Sequence, residues 1–138
     1  MQEIRTYNDT TDKIMVVELW QKIFGYDTAH NDPYLTITKK LAVHDGLFFV
    51  AVEKFQIVGT IMAGYDGHRG WLYSVAVDPI MRHQGLGSLL VHHAESALKS
   101  LGCLKVKLQI LNTNIPVTSF YKRLGYEIEP TVSMGKIL

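Results

Sequence analysis

The stretch Asp78–Leu90, DPIMRHQGLGSLL, sets two glycines one residue apart between a proline-marked turn and an apolar run. Gly85 and Gly87 carry no Cβ, so the backbone there can turn tightly and come close to a bulky ligand. A helix opening at such a point offers first-turn N–H groups without intrahelical partners, together with the positive end of its dipole. That pairing binds anions, phosphate groups above all. Arg82 adds a full positive charge at the mouth. Two other phosphate loops are excluded by the residues themselves. A G-x-x-x-x-G-K-[ST] loop needs a lysine that follows neither glycine, and G-x-G-x-x-G needs a glycine where Leu90 stands. The plainer use of Gly85 and Gly87 is to cap and pack a helix, and a glycine pair alone would favour it.

Few other side chains suggest chemistry. In GYDGHRG, His68 is a candidate base, since an imidazole can take up a proton at neutral pH, with Asp66 beside it. The same residues also spell a turn at Asp66 and Gly67 with His68 and Arg69 in solvent. Glu53 is a further candidate base. His92 and His93 are adjacent on a helical stretch and point in different directions, so they are not an i, i+4 metal pair. His30 and His44 read as surface residues, and no metal site is expected. Cys103 is the only cysteine, which excludes an intrachain disulfide and a multi-cysteine metal site.

The elements that must position these groups follow from periodicity and punctuation. Ile4–Tyr7 reads as a first strand, and Asp9, Thr10 and Thr11 as caps for a helix carrying Val16, Leu19, Trp20, Ile23 and Phe24 on one stripe up to Gly25. NDPYLTITKKLAVHDG repeats that grammar, with Asn31 or Asp32 as cap, Pro33 in the first turn and Gly46 past the end. Leu47–Glu53 and Ile57–Tyr65 form a hairpin across Lys54, Phe55 and Gln56, and Trp71–Val77 is a third strand of that sheet, stopped by Pro79. Leu86, Leu89, Leu90, Ala94, Ala97, Leu98 and Leu101 mark a long amphipathic helix ending at Gly102. Val106–Leu111 alternates as a strand. Val117, Phe120, Tyr121 and Leu124 mark a short helix, and closing strands are expected near 126–129 and 132–137. The predicted order is β α α β β β α β α β β.

The bulk numbers agree with one compact domain over residues 1–138. The chain has 138 residues, 47% of them hydrophobic and 20% charged, with a formal net charge of +1, so it has no basic field for gripping nucleic acid. No apolar run reaches the roughly 18 residues of a membrane span, and the polar start MQEIRTYNDT lacks an apolar leader. No nucleic-acid or membrane partner is expected, and the location expected is cytoplasmic.

The context of the glycine loop resembles the GNAT acetyltransferase superfamily, whose signature [RQ]-x-x-G-x-[GA] follows a strand and a turn and opens a long helix. Here SVAVDP precedes Arg82, His83, Gln84, Gly85, Leu86 and Gly87. The family's later Asn, followed seven residues on by a Tyr within an LY..LGF-like stretch, corresponds to Asn114 and Tyr121 in FYKRLGY. GYDGHRG and the closing SMGK are similar to the small bacterial group named for YpeA. The central motifs are similar to ribosomal-protein N-terminal acetyltransferases.

The resemblance implies an α+β fold with an α/β/α layering: a mixed, mostly antiparallel sheet with a splayed parallel pair of central strands and helices on both faces. It implies acetyl-CoA as co-substrate, without a metal. Its pyrophosphate would lie on the loop amides from His83 through Gln84, Gly85, Leu86 and Gly87 to Ser88, beside Arg82. Its pantetheine arm would lie along the strand end at Val75, Ala76 and Val77. The Val77 N–H would stabilise charge on the thioester oxygen, and Tyr121 would protonate the departing sulfur. Tyr121 could equally be packing, since it shares a stripe with Val117 and Leu124. Asn114 would cap the last helix, aided by Pro116, or contact the pantetheine arm, and the two roles need not compete.

Similar N-terminal acetyltransferases carry a glutamate base where Gln109 stands, and an amide cannot accept that proton. The wall of the acceptor site would fall in GYDTAHNDPY, with Tyr26, Asp27, Asp32 and Tyr34. The acceptor implied is a primary amine of a small molecule or a protein N-terminus or lysine. A non-catalytic acyl-CoA-binding module and a purely structural domain are the competing readings. A homodimer is compatible with the resemblance, although no self-complementary patch is marked.

Overall fold

The computed structural model describes residues 2–25 and 29–138. The elements are β1 (Glu3–Thr6), α1 (Asp9–Phe24), α2 (Pro33–Val43), β2 (Phe48–Glu53), β3 (Gln56–Tyr65), β4 (Gly70–Val77), α3 (Leu86–Ser100), β5 (Val106–Leu108) and α4 (Ile115–Arg123), with single 3-10 turns at Ala29–Asn31 and Pro79–Met81. Packing divides the chain into two compact units, the first through Leu108 and the second from Gln109 to Leu138. No helix among the described residues is long and apolar enough to cross a membrane.

In the first unit the five strands lie in the order β1-β2-β3-β4-β5. The first three pairings are antiparallel and β4–β5 is parallel. Helices flank both faces, as the α+β layering requires. Tyr7, Val16, Trp20, Ile37, Phe48, Val50 and Met62 form the core beneath α1 and α2. On the other face, a Cβ on Gly59 would lie 2.9 Å from Leu90, and one on Gly70 would lie 2.9 Å from Leu98, so these glycines let α3 press against β3 and β4. Phe49 meets His93 of α3 edge-on, with ring centroids 4.6 Å apart.

Several details differ from the sequence reading. The α1 cap is Asn8, whose side chain accepts from the amides of Thr10 and Thr11; it stands one residue ahead of the expected caps. The α2 helix starts on the Asp32 cap as expected but ends at His44 in the left-handed conformation rather than at Gly46. The hairpin turn is two residues, Lys54 and Phe55, both with positive φ, which matches the twist of the flanking strands. The strand expected over 106–111 stops at Leu108. Neither closing strand forms: residues 126–138 contain no strand, so β5 borders the five-stranded sheet and the parallel pair lies at its margin, not its centre. Alternation of apolar residues makes a strand only when an edge completes its ladder, and Pro130 removes one donor from the middle of that stretch.

A buried ion pair ties β1 to α1. Asp12 is fully buried and takes a bidentate hydrogen bond from Arg5, at 2.7 and 2.9 Å, and another from the Asn8 amide at 2.8 Å. Burial alone would push the Asp12 carboxyl up. Arg5, the Asn8 amide and the Thr11 hydroxyl outweigh burial and hold it below the ordinary carboxylate range. A lowered native pKa stabilises the fold above the unfolded value of about 4, and that contribution is lost as pH falls through the native value. Asp12→Asn is expected to cost about 2–3 kcal/mol in urea unfolding at pH 7, less than the about 3–5 of a fully buried pair. The discount follows from the Arg5 side chain, which is 34% exposed. The difference from the parent should shrink below pH 4.

Candidate acetyl-CoA site

The end of β4 and the start of α3 build the site. Asp78 turns the chain after Val77: its amide donates to the Val58 carbonyl at 2.8 Å, and its side chain accepts from the Ile80 amide at 3.1 Å. Peptide groups alternate in direction along a strand, so the Val77 N–H points away from β3, towards the opposite edge of β4. On that edge β5 pairs only with Gly70, Trp71 and Leu72. From Tyr73 to Val77, β4 has no strand neighbour within this unit except β3, which is the splay expected of the parallel pair.

The glycine loop itself has two left-handed residues, His83 at φ 65° and Gly85 at φ 81°. Gly85 is the N-cap of α3, and no side chain caps that helix. The first-turn amides of Leu86, Gly87 and Ser88 are therefore left to a ligand or to water. The Leu86 side chain is buried, so only its backbone can serve a ligand. Arg82 is exposed, and its Nε donates to the Val77 carbonyl at 3.3 Å, which holds the cation beside the strand end. Gln84 reaches back to the Ile80 carbonyl at 3.4 Å. An uncapped fifteen-residue helix, a cap without a Cβ and an adjacent guanidinium fit a diphosphate.

In the second unit, Asn114 caps α4, accepting from the Val117 amide at 3.4 Å, with Pro116 in the first turn. Tyr121 is two turns further along. It is buried, with edge-on contacts to Phe120 and Tyr126 at centroid separations of 4.9 and 5.6 Å. Burial pushes its pKa up to about 12, so it is a protonated phenol at neutral pH. Gln109 donates to the Ser133 hydroxyl at 2.6 Å.

The candidate bases fare differently. The Asp66 carboxylate accepts from the amides of Arg69 and His68, each at 2.7 Å, and these two bonds hold it below the usual range. It is a turn-forming group. That turn joins β3 to the start of β4, whereas Val77 is at the end of β4. Glu53 lies at the β2–β3 hairpin tip, opposite Gln56. Asp32 is occupied as the α2 cap and Tyr34 is exposed, while Tyr26 and Asp27 lie outside the described residues. Among the described residues no three His, Cys, Asp or Glu side chains are grouped to hold a metal.

Sequence reasoning missed three buried polar groups, the Asp12 described above, Lys40 and Thr60. Lys40 donates to the Ala63 carbonyl and pairs with Asp45 at 2.8 Å, which fastens α2 to β3. It borders a cleft of about 280 Å³ with Thr6, Tyr7 and His44. Thr60, also fully buried, links Trp20 to Ser74. A polar residue inside a run of strand-forming residues was the only signal for Thr60.

A strand end without a second neighbour feeding an uncapped, glycine-started helix makes a site of the diphosphate-binding class. The chain belongs to the acetyltransferase (GNAT) family, whose model matches residues 13–126. It is an acetyl-CoA-dependent N-acetyltransferase, with acetyl-CoA as co-substrate. Its fold is shared with glucosamine-6-phosphate N-acetyltransferase from Arabidopsis thaliana, at 21% identity and a TM-score of 0.74 over 99% of this chain and 98% of that one. It is likewise similar to a PaiA N-acetyltransferase from Thermoplasma acidophilum in complex with coenzyme A, at 21% identity and a TM-score of 0.77 over 96% and 93% of the two chains. The ribosomal-protein-S18-alanine N-acetyltransferase from Escherichia coli gives 23% identity and a TM-score of 0.72 over 91% and 77%.

A Cβ at Gly85 would meet nothing within 4 Å, so the cost of replacing it is conformational alone. Gly85→Ala is expected to lower stability by roughly 1–2 kcal/mol in thermal melts, and Gly85→Asn by less, because asparagine tolerates the left-handed region.

Proposed function

We propose that the chain transfers the acetyl group of acetyl-CoA to a primary amine, of a small molecule or of a protein N-terminus or lysine. The observation that carries this reading is the uncapped start of α3 behind Gly85. Amides from His83 to Ser88 hold the diphosphate, Arg82 adds charge, and the strand end Val75–Val77 receives the thioester arm through the outward backbone of Val75 and Val77, with Ala76 between them paired to Thr60. The Val77 N–H stabilises the charge that develops on the carbonyl oxygen. Tyr121 supplies the proton taken by the leaving sulfur, and its raised pKa keeps that proton in place. Asn114 adds a contact to the arm while its oxygen caps α4.

The attacking amine must be neutral. Gln109 cannot take its proton, and Asp66 is committed to a turn. His68 precedes Gly70, which is five strand steps, or about 16 Å, from Val75. With none of these three assigned as the base, the reading adopted is that the acceptor deprotonates to water. This ranks acceptors by their own pKa: an α-amine near 7.7–8.0 has roughly two to four hundred times the neutral fraction of a lysine near 10.4 at pH 7. An α-amine is the favoured acceptor. The E. coli neighbour acts, by its name, on the alanine of a ribosomal protein.

Calorimetric titration with acetyl-CoA, against NAD and ATP, should show selective micromolar binding that Gly87→Glu abolishes. Tyr121→Phe should retain that affinity while turnover falls by roughly 10²-fold. Equal turnover would remove Tyr121 from the chemistry. In pH profiles, the acidic limb of kcat/KM should follow the ammonium pKa of the acceptor supplied and be unmoved by Asp66→Asn or His68→Ala.

A further inference from the structure

The strand that would receive the thioester arm is irregular at one point. Thr60 of β3 faces Ala76 of β4, but Met62 faces Tyr73, so β4 carries one extra residue in that interval. Ser74 within it adopts φ 51°, an uncommon conformation for a residue with a side chain. A bulge leaves a residue without its ladder partner. Here the missing partner is supplied from the side: the Thr60 hydroxyl donates to the Ser74 carbonyl at 2.9 Å. The same oxygen accepts from Trp20 Nε1 at 2.8 Å.

Both Trp20 and Thr60 are fully buried. An indole nitrogen can only donate, so the Thr60 oxygen must accept from it. The single hydroxyl proton is then directed to Ser74, and the two bonds polarise each other in the same sense. Trp20 is itself fixed by packing, with its ring 5.8 Å from Phe48 and nearly parallel to it. The relay thus runs from α1 through β3 to the bulge, and the first residues beyond the bulge are Val75, Ala76 and Val77.

We infer that Thr60, oriented by Trp20, is a positioning residue: it holds the β4 bulge and so aims the outward Val75 and Val77 amides at the thioester arm. The functional half of this inference rests on the acetyl-transfer reading above, while the structural half does not.

The test compares Thr60→Val, which keeps the shape and removes the hydroxyl, with Thr60→Ser, which restores it, and with Trp20→Phe, which removes the donor. Amide hydrogen exchange by NMR, without ligand, should be faster by about tenfold or more in Thr60→Val at Tyr73 and Ala76, the β4 residues paired with Met62 and Thr60 on either side of the bulge, relative to β2, and near the parent in Thr60→Ser. With acetyl-CoA and an amine acceptor, kcat should fall roughly tenfold in Thr60→Val, with KM for the acceptor little changed, and recover in Thr60→Ser. Trp20→Phe should move both readouts in the same direction by a smaller factor. Parent-like exchange at Tyr73 and Ala76 in Thr60→Val would overturn the relay. Altered exchange with unchanged kcat would overturn its positioning role. If Thr60→Val does not fold, Trp20→Phe decides by the same exchange readout. Failure of the parent to bind acetyl-CoA would sink the acetyl-transfer reading and with it the positioning role, while the exchange comparison would still decide whether the relay holds the bulge.

Discussion

One extra residue in β4 is the constraint around which the first unit is arranged. Side chains alternate strictly along a strand, so a regular β4 would show the same parity of residues to the same face from end to end. Gly70 faces α3, where a Cβ would strike Leu98, whereas Ala76, of the same parity, belongs to the core under α1 and α2. The bulge at Ser74 makes both placements compatible. Without it, Ala76 would turn towards α3, and Val77, half-exposed at the strand end, would be driven into the α1 core. The register shift therefore decides which backbone groups of β4 stay available, and it does so before any ligand is present.

The glycines divide by physical role. Gly59 and Gly70 are close-approach residues, with no room for a methyl group beneath α3. Gly85 has room and instead needs a positive φ. Bringing α3 down onto β3 and β4 matters for the anion site because the helix axis, and hence the direction of its first-turn amides, is set by that packing. Leu86 anchors the first turn from inside while its amide remains part of the outward rim. A helix start held this way is preorganised, and a diphosphate bound there spends little on ordering it.

Much of this was legible in local sequence. α3 shows a clean apolar stripe, β2 and β3 are rich in β-branched and aromatic residues, and Asn114 with Pro116 spells the α4 cap, so all were expected where they occur. Both anion-loop glycines were visible as well, because their cue is a glycine spacing before an apolar run. The misses come from interactions that no window contains. Thr60 draws its meaning from Trp20, forty residues away, and from Ser74. Lys40 looks like a solvated helix residue until Ala63 and Asp45 surround it. The two closing strands were expected from alternation, which describes a surface and not a partner. The Asn8 cap was passed over because Asp9, Thr10 and Thr11 are all competent caps, and local rules rank such neighbours too closely to separate.

Charge placement gives the proposed chemistry its direction. Asp66 is committed to a turn, Gln109 is an amide bound to Ser133 and His68 precedes the far end of β4, while the phenol proposed for proton donation is buried and keeps its proton. Burial raises the pKa of a phenol because the anion loses hydration, and a thiolate released in surroundings of the same polarity is penalised in the same sense. The same burial would be harmful to a base, whose charged form must exist before the reaction. In the proposed chemistry the acid is a buried phenol and the amine loses its proton to solvent, so the pH dependence belongs to the acceptor rather than to the protein.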